Sequence, residues 1–157
     1  MSEWSLKIRD FRSEDLKTLH EIDHICFPAD IAFSREELLF SLNQSGCITR
    51  VAEVHKKVAG FVLMHIENHR QAHIVTLDVV PETRRRGFGF LLMEDVHNIL
   101  KKEKIPVSIL EVGKGNFPAQ RLYERMSYRY METLPGYYNG CEDALRMVRI
   151  FDYCLGR

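Results

Sequence analysis

Two stretches of the chain hold residues whose types and spacing can do chemistry. The first is Val79-Val80-Pro81-Glu82-Thr83-Arg84-Arg85-Arg86-Gly87-Phe88-Gly89-Phe90-Leu91-Leu92. It reads as a strand end, a basic loop with two glycines, and the first turns of a helix. A helix start offers backbone N–H groups that have no intrahelical acceptor, and its dipole adds partial positive charge. Gly87 and Gly89 let the backbone approach a ligand with no Cβ in the way. Such a loop cradles an anion, a diphosphate above all. The plainer alternative is a basic surface turn ahead of an amphipathic helix. The second stretch is Ile109-Leu110-Glu111-Val112 followed by Asn116-x-x-Ala119-x-x-Leu122-Tyr123-Glu124. Glu111 falls near the C-terminal end of an otherwise apolar strand. Partial desolvation there would push its pKa up, as a general base near neutral pH requires. Its plainer alternative is a strand-edge carboxylate paired with a basic neighbour. Tyr123, on the next helix, is protonated at neutral pH and able to hand a proton to a leaving group. Its alternative is a core tyrosine with a satisfied hydroxyl.

The elements that must position these residues follow from periodicity. Leu6, Ile8 and Phe11 suggest a first strand, and Ser13 is placed to cap a helix running to about Ile25. Leu16, Leu19, Ile22 and Cys26 share one face of that helix, which Phe27-Pro28 ends. Ser34-Arg35-Glu36-Glu37 has capping-box spacing and opens a second helix that Gly46 closes. Residues 47–54 and 58–66 flank His55-Lys56-Lys57 as an antiparallel hairpin, and 72–80 form the next strand, closed by Pro81. The helix after the glycine loop carries Phe88, Leu91, Leu92, Val96, Ile99 and Leu100 on one face. Residues 107–112 read as a buried strand. Residues 116–126 read as a shorter helix with Pro118 tolerated in its first turn. Strands over 128–134 and 144–151 are separated by the turn-rich Pro135-Gly136-Tyr137-Tyr138-Asn139-Gly140. The order is β-α-α-β-β-β-α-β-α-β-β, an α/β protein with a mixed sheet and helices on both faces. No repeat, linker or low-complexity tract interrupts the 157 residues, so the whole chain, 1–157, reads as a single domain.

The run 77–147 resembles the peptide N-terminal acetyltransferases of the GNAT superfamily, in particular the bacterial ribosomal-protein-alanine N-acetyltransferase group. The matching pieces are Leu77-Asp78-Val79, Arg84-x-x-Gly87-x-Gly89, Leu110-Glu111-Val112, Asn116-x-x-Ala119-x-x-Leu122-Tyr123 and Tyr137-Tyr138-x-x-x-Glu142-Asp143-Ala144, in family order and spacing. Cys26-Phe27-Pro28 is similar to the segment that lines the peptide site in eukaryotic N-terminal acetyltransferases. The resemblance implies a GNAT-like acyl-CoA N-acyltransferase fold and acetyl-CoA as cosubstrate, with no metal. It implies that the backbone of Leu77, Asp78 and Val79 bonds the pantetheine as an added strand would. The amides of Arg84, Arg85, Arg86, Gly87, Phe88 and Gly89 would hold the pyrophosphate, and Asn116 would touch the coenzyme near its pantetheine arm. Glu111 would be the base, working through a water, and Tyr123 the acid. Phe27, Pro28, Tyr137 and Tyr138 would border the acceptor, a peptide or protein N-terminus. His73 is a candidate second base or peptide contact, with a solvated strand histidine as its alternative.

The chemistry is consistent with those roles. Acyl transfer needs a neutral amine, a donor aimed at the developing oxyanion and a proton for the departing thiolate. A peptide α-amine has a reference pKa of about 7.7–8.0 against about 10.4 for lysine, so a modest base suffices for an N-terminus. No cysteine sits at a matching nucleophile position, so transfer is expected to be direct, in a ternary complex. The chain departs from the family pattern at Ser127-Tyr128, where Gly-Phe is usual, and Gly113-Lys114-Gly115 reads as a flexible approach to Asn116.

Other readings are weaker. His20-Glu21-Ile22-Asp23-His24 matches His-Glu-x-x-His, but its helix is short, and no third zinc ligand motif follows. No Lys-Ser or Lys-Thr follows the glycines, which excludes a Walker-type nucleotide site. A formal net charge of zero and a lack of aromatic interleaving argue against nucleic acid and against an acidic membrane surface. The rivals that remain are a small-molecule amine acetyltransferase and a non-catalytic acyl-CoA-binding module. Cys26, Cys47, Cys141 and Cys154 show no Cys-x-x-Cys pairing, and Met1-Ser2-Glu3-Trp4-Ser5 lacks a signal-peptide pattern, so a cytoplasmic protein without disulfides is expected. Oligomeric state leaves no mark on the sequence.

Overall fold

The structure is a computed structural model that describes residues 5–153; the reading of the extreme N-terminus and that of Cys154 lie outside the described residues. Seven strands, β1 (Leu6–Asp10), β2 (Cys47–Val54), β3 (Lys57–Glu67), β4 (Gln71–Val79), β5 (Val107–Gly113), β6 (Arg129–Tyr138) and β7 (Glu142–Ile150), form one sheet in the order β1-β2-β3-β4-β5-β7-β6. Every pairing is antiparallel except β4 with β5. Helices α1 (Leu16–Cys26), α2 (Arg35–Leu42), α3 (Phe88–Lys102) and α4 (Phe117–Arg125) complete the expected order, with short 3-10 turns at Ser13–Asp15 and Pro81–Thr83. Among the described residues no helix is long and apolar enough to cross a membrane.

Each face of the sheet has its own core. Leu92, Met93, Val96 and Leu100 of α3 and Tyr123 of α4 pack on Val62, Met64, Ile74 and Leu110. On the opposite face Leu19 and Ile22 of α1 and Leu38 of α2 pack on Val51, Phe61 and Leu63. Each such buried side chain stabilises the fold by about 1.5–3 kcal/mol relative to exposure. This is why the helical stripes legible in the sequence end up against the sheet.

The feature that shapes the site is an irregularity in β4. Leu63 of β3 pairs with Thr76 while the next residue, Met64, pairs with Ile74, so Val75 is an extra residue in the ladder. A bulge bends its strand and reverses the side-chain alternation beyond it. Before it, Ala72 and Ile74 belong to the α3 core. After it, Leu77 and Val79 face that core, and Val75 packs with the α1 cluster. Pairing of β4 with β5 stops at the same place: only Gln71–Ile74 and Val107–Leu110 are in register. Beyond Ile74 and Leu110 the two strands part.

Three expectations need correction. Ser13 does not cap α1; it opens the 3-10 turn, and Asp15 is the residue that organises this corner. Asp15 accepts the Arg12 N–H at 2.8 Å and pairs with Arg9 at 2.8 and 3.0 Å. Helix α2 ends at Leu42, and Gly46, with φ of +80°, turns the chain into β2 instead. The Ser34–Glu37 capping box does form. The Pro135–Tyr138 region is not a free turn: β6 runs through it to Tyr138, with a register break between Leu134 and Tyr138 that absorbs Pro135 and Gly136. His97, outside the apolar set read from α3, is buried with the core residues.

The Ser127-Tyr128 departure is fully accommodated. Tyr128 N–H bonds Tyr123 C=O and Ser127 N–H bonds Glu124 C=O, each at 3.0 Å, the pattern of a Schellman helix end. Ser127 takes the left-handed position, φ +69°, where glycine is preferred. The Tyr128 hydroxyl lies 2.7 Å from both Ser108 Oγ and His97 Nε2. Arg149, a donor only, meets His97 Nδ1 at 3.2 Å, so Nδ1 accepts and Nε2 donates to Tyr128. Burial, then the Arg149 and Lys101 charges, bring the His97 pKa down to about 3, which keeps the ring neutral. Tyr128→Phe should therefore cost about 1–3 kcal/mol by leaving His97 and Ser108 short of a partner, read as a lower urea midpoint at unchanged m-value. Ser127→Gly should gain about 0.5–1 kcal/mol in the same measurement by relieving the left-handed backbone.

Candidate active site

Where β4 and β5 part, a row of charged groups crosses the face opposite α3 and α4. Glu111 (β5) stands opposite Arg146 (β7) in register, and Arg146 stands opposite Glu132 (β6). Arg146 donates to Glu111 Oε1 from Nη2 (3.1 Å) and Nε (3.3 Å), and to Glu132 Oε1 from Nη1 (2.6 Å). The other oxygen, Glu111 Oε2, lies 2.6 Å from His73 Nε2 on β4. The chain Glu132–Arg146–Glu111–His73 thus spans four strands. His73 is engaged with Glu111, so the solvated-histidine alternative fails. Arg146 was not among the candidates read from the sequence, because its partner lies 35 residues away on a strand whose pairing no local pattern reveals.

The expectation for the Glu111 pKa is reversed. Burial is the largest single influence and would raise it, since the side chain is only 7% exposed. Hydrogen bonds and charge from His73 and Arg146 together outweigh burial, and the pKa is lowered. Glu111 is held ionised, which leaves it weakly basic by itself but well suited to orienting an imidazole. With Nε2 facing the carboxylate, His73 Nδ1 is the ring atom left to accept a proton.

Tyr123 sits on the other side of the sheet, 8% exposed, its ring edge-on to Tyr128 at 5.9 Å. Burial first, then Tyr128, Asp78 and Tyr138, push its pKa well above the usual phenol value, so it stays protonated. Cys26 Sγ lies 3.4 Å from Val79 C=O, at the end of β4. Burial raises this thiol's pKa and keeps it a poor nucleophile.

The basic loop leads directly into α3. Gly87 (φ +79°) is the N-cap residue, and its carbonyl takes the first helical bond, from Leu91 N–H at 3.0 Å. The amides of Phe88, Gly89 and Phe90 precede any i→i−4 acceptor and face outward from the helix start. A Cβ on Gly89 would lie in ordinary contact with Leu122, Leu77 and Val79, at 3.4–3.8 Å, where α3 meets β4 and α4. Arg84 turns inward, donating to Val79 C=O at 3.0 Å and approaching Cys26 Sγ at 3.5 Å. Arg85 carries a positive φ of 64° within the turn. Asn116 caps α4 by accepting the Ala119 N–H at 3.3 Å. The Gly113-Lys114-Gly115 approach is tied down, with Gln120 Nε2 donating to Gly113 C=O and Lys114 C=O, each at 2.9 Å.

The two segments expected to border an acceptor lie at the ends of α1 and β6. Phe27 and Pro28 follow α1, and Tyr137 and Tyr138 end β6, their rings edge-on at 5.0 Å. Burial and then Tyr137, Glu111 and Glu142 push the Tyr138 pKa up to about 12, and Glu111 also bears on Tyr137, so both phenols sit near the charge row. The Asn139 side-chain amide donates to Asp30 C=O, joining the two segments. The His20 and His24 rings lie 4.4 Å apart, tilted by 57°, and His24 Nε2 lies 2.8 Å from Phe33 C=O. Among the described residues no three His, Cys, Asp or Glu side chains are grouped to hold a metal ion.

An open split between parallel strands, an amide-lined helix start on one side and a charge row on the other suit transfer from a diphosphate-bearing donor. The family model "Acetyltransferase (GNAT) family" matches residues 16–128. An uncharacterised N-acetyltransferase of Methanocaldococcus jannaschii is 33% identical over 143 residues, 90% of each chain. An N-alpha-acetyltransferase of Saccharolobus solfataricus is 29% identical over 154 residues, 90% of this chain and 91% of its own. The crystal structure of Ard1 from Thermoplasma volcanium shares the fold at a TM-score of 0.87 and 23% identity, covering 94% of this chain and 99% of that one. With a family model spanning most of its length and its split sheet in place, this chain belongs to the GNAT acetyltransferase family.

Proposed function

We propose that the protein transfers the acetyl group of acetyl-CoA directly to the α-amine of a peptide or protein N-terminus. The observation that carries the reading is the His73–Glu111–Arg146 chain at the mouth of the strand split. Acetyl-CoA would lie with its pyrophosphate on the amides at the start of α3 and its pantetheine along the unpaired edge of β4, where Leu77, Asp78 and Val79 have lost β5 as a partner. Asn116, at the head of α4, stands beside that path. The bound cosubstrate supplies the activated acyl group; the chain supplies proton management and exclusion of water.

His73 Nδ1 takes the proton of the acceptor ammonium, through a water, while ionised Glu111 fixes the tautomer and stabilises the imidazolium. Arg146 keeps Glu111 ionised. Tyr123, protonated and buried on the donor side, gives its proton to the departing thiolate. Phe27, Pro28, Tyr137 and Tyr138 would guide the peptide, and the name of the Saccharolobus relative supports an α-amine acceptor. Cys26 takes no covalent part.

Acetyl transfer against short peptides differing in their first residues, alongside polyamines and lysine, tests the acceptor. Faster turnover of peptide α-amines is expected, and preference for polyamines would reject the peptide reading. His73→Gln and Glu111→Gln should each lower kcat by about 10²–10⁴-fold, as should Tyr123→Phe, with acetyl-CoA binding retained by calorimetry. Retained turnover in all three would dismiss these roles. Stability carries a separate signature. Because the folded pKa of Glu111 is lowered, its contribution is present above the unfolded value near 4.5 and lost as pH falls through the folded one. The stability of Glu111→Gln should therefore fall less steeply below about pH 4.5 than that of the parent protein, as followed by urea melts.

A further inference from the structure

The side chain of Asp78 points away from the coenzyme face. The bulge at Val75 turns it, with Thr76, toward α1, where it is fully buried. Thr76 Oγ1 donates to Asp78 Oδ1 at 2.5 Å, while Oδ2 is buried with no donor in reach. The group it faces is another carboxyl, Asp23 of α1, itself 1% exposed. Asp23 Oδ2 accepts the Phe33 N–H at 2.7 Å, closing the turn between α1 and α2. Two carboxylates in contact and shielded from water do not both stay ionised. One proton held between them gives the orphaned oxygen its partner.

The surroundings agree. Around Asp78 stand Asp23 and Cys26 from α1, Arg84 from the basic loop and Tyr123 from α4. Burial, then the Asp23 charge, carry the Asp78 carboxyl well above the usual range, and Arg84 only partly opposes them. Arg84 is itself turned to Val79 C=O and Cys26 Sγ. The pair occupies a joint between two working parts. Asp78 belongs to the strand edge freed from β5. Asp23 stands in the last turns of α1, just ahead of Phe27 and Pro28, and anchors the far end of the same turn through Phe33.

We propose that Asp23 and Asp78 share a single proton, and that this hydrogen bond sets the acceptor wall at a fixed distance from the donor strand, making the pair a positioning element for acyl transfer. The proposal rests on the preceding functional reading for the identity of the acceptor; the shared proton stands apart from it. Neither carboxyl touches the reacting atoms. Their effect on the reaction passes through Phe27 and Pro28 on one side and the β4 backbone on the other.

Infrared spectroscopy and steady-state kinetics on the full chain test it together. At neutral pH the parent protein should show the carbonyl band of a protonated carboxylic acid, absent from both Asp78→Asn and Asp23→Asn. Asp78→Ala, which strands the Asp23 carboxylate, should raise the peptide KM by about tenfold or more while moving the acetyl-CoA KM by less than about twofold. Asp78→Asn and Asp23→Asn can each donate an amide N–H to the remaining carboxylate, and should restore most of what the alanine variant loses. The pH dependence of stability gives a third reading. A raised folded pKa means stability that is present below the unfolded pKa and lost as pH rises through the folded one, so Asp78→Asn should flatten that alkaline-going decline. Absence of the protonated band, asparagine variants as impaired as alanine, or an acetyl-CoA KM rising in step with the peptide KM would each overturn the proposal. Should the acceptor prove to be a small amine, the kinetics are read with that amine and the infrared result stands by itself.

Discussion

Strands β4 and β5 stay bonded for four residue pairs and then separate, and the site depends on that separation. A parallel pair that continued would satisfy its own backbone groups and leave nothing for a ligand. The extra residue at Val75 bends β4 at the point where the pairing ends, so the strand edge from Leu77 to Val79 is left with donors and acceptors facing a gap. The same shift of phase sends Leu77 and Val79 to the α3 core and Asp78 to α1. One inserted residue therefore opens the donor path and buries the carboxyl that ties that path to the acceptor rim.

The gap also divides the chemistry between two faces. Phenol and helix start lie on the α3/α4 side, where burial keeps Tyr123 protonated. Imidazole and carboxylate lie on the other, where His73 and Arg146 together keep Glu111 charged despite burial. Phenol and carboxylate are thereby held in opposite protonation states by their surroundings, and the sheet stands between them except at the split. Direct transfer through that opening needs no covalent relay, and the raised pKa of the nearby Cys26 thiol is consistent with its taking no part.

The element order was legible because amphipathic periodicity is local: α3 and β5 fall close to where their apolar patterns place them. The loop between β4 and α3 was legible for the same reason, a strand end, glycines and a helix start in one short run. What the sequence hid is non-local. The alternation of β4 does change phase across Val75-Thr76, from Ala72 and Ile74 to Leu77 and Val79, but nothing in it says that β5 parts from the strand there. Pro135-Gly136 carries every local mark of a turn, yet pairing with β7 draws β6 through to Tyr138. The Glu111 environment was misjudged because burial is readable from an apolar strand, whereas His73 and Arg146 arrive from 38 and 35 residues away.

Buried ionisable groups in this chain mark joints between elements that the apolar cores alone would leave loosely registered. Arg9 on β1 meets Glu53 on β2 and Asp15 beyond β1. Arg50 on β2 reaches Asp95 on α3, and Arg149 on β7 reaches His97 on the same helix. Hydrophobic contact tolerates small slides, whereas a charge-assisted hydrogen bond holds only in a narrow geometry, so each part-buried pair resists displacement. Such pairs contribute little net stability once desolvation is counted; what they contribute is register. The Glu132–Arg146–Glu111–His73 row extends the same device into the site. An imidazole whose orientation is set across four strands moves only when the sheet moves, and the split between β4 and β5 is fixed by that same sheet.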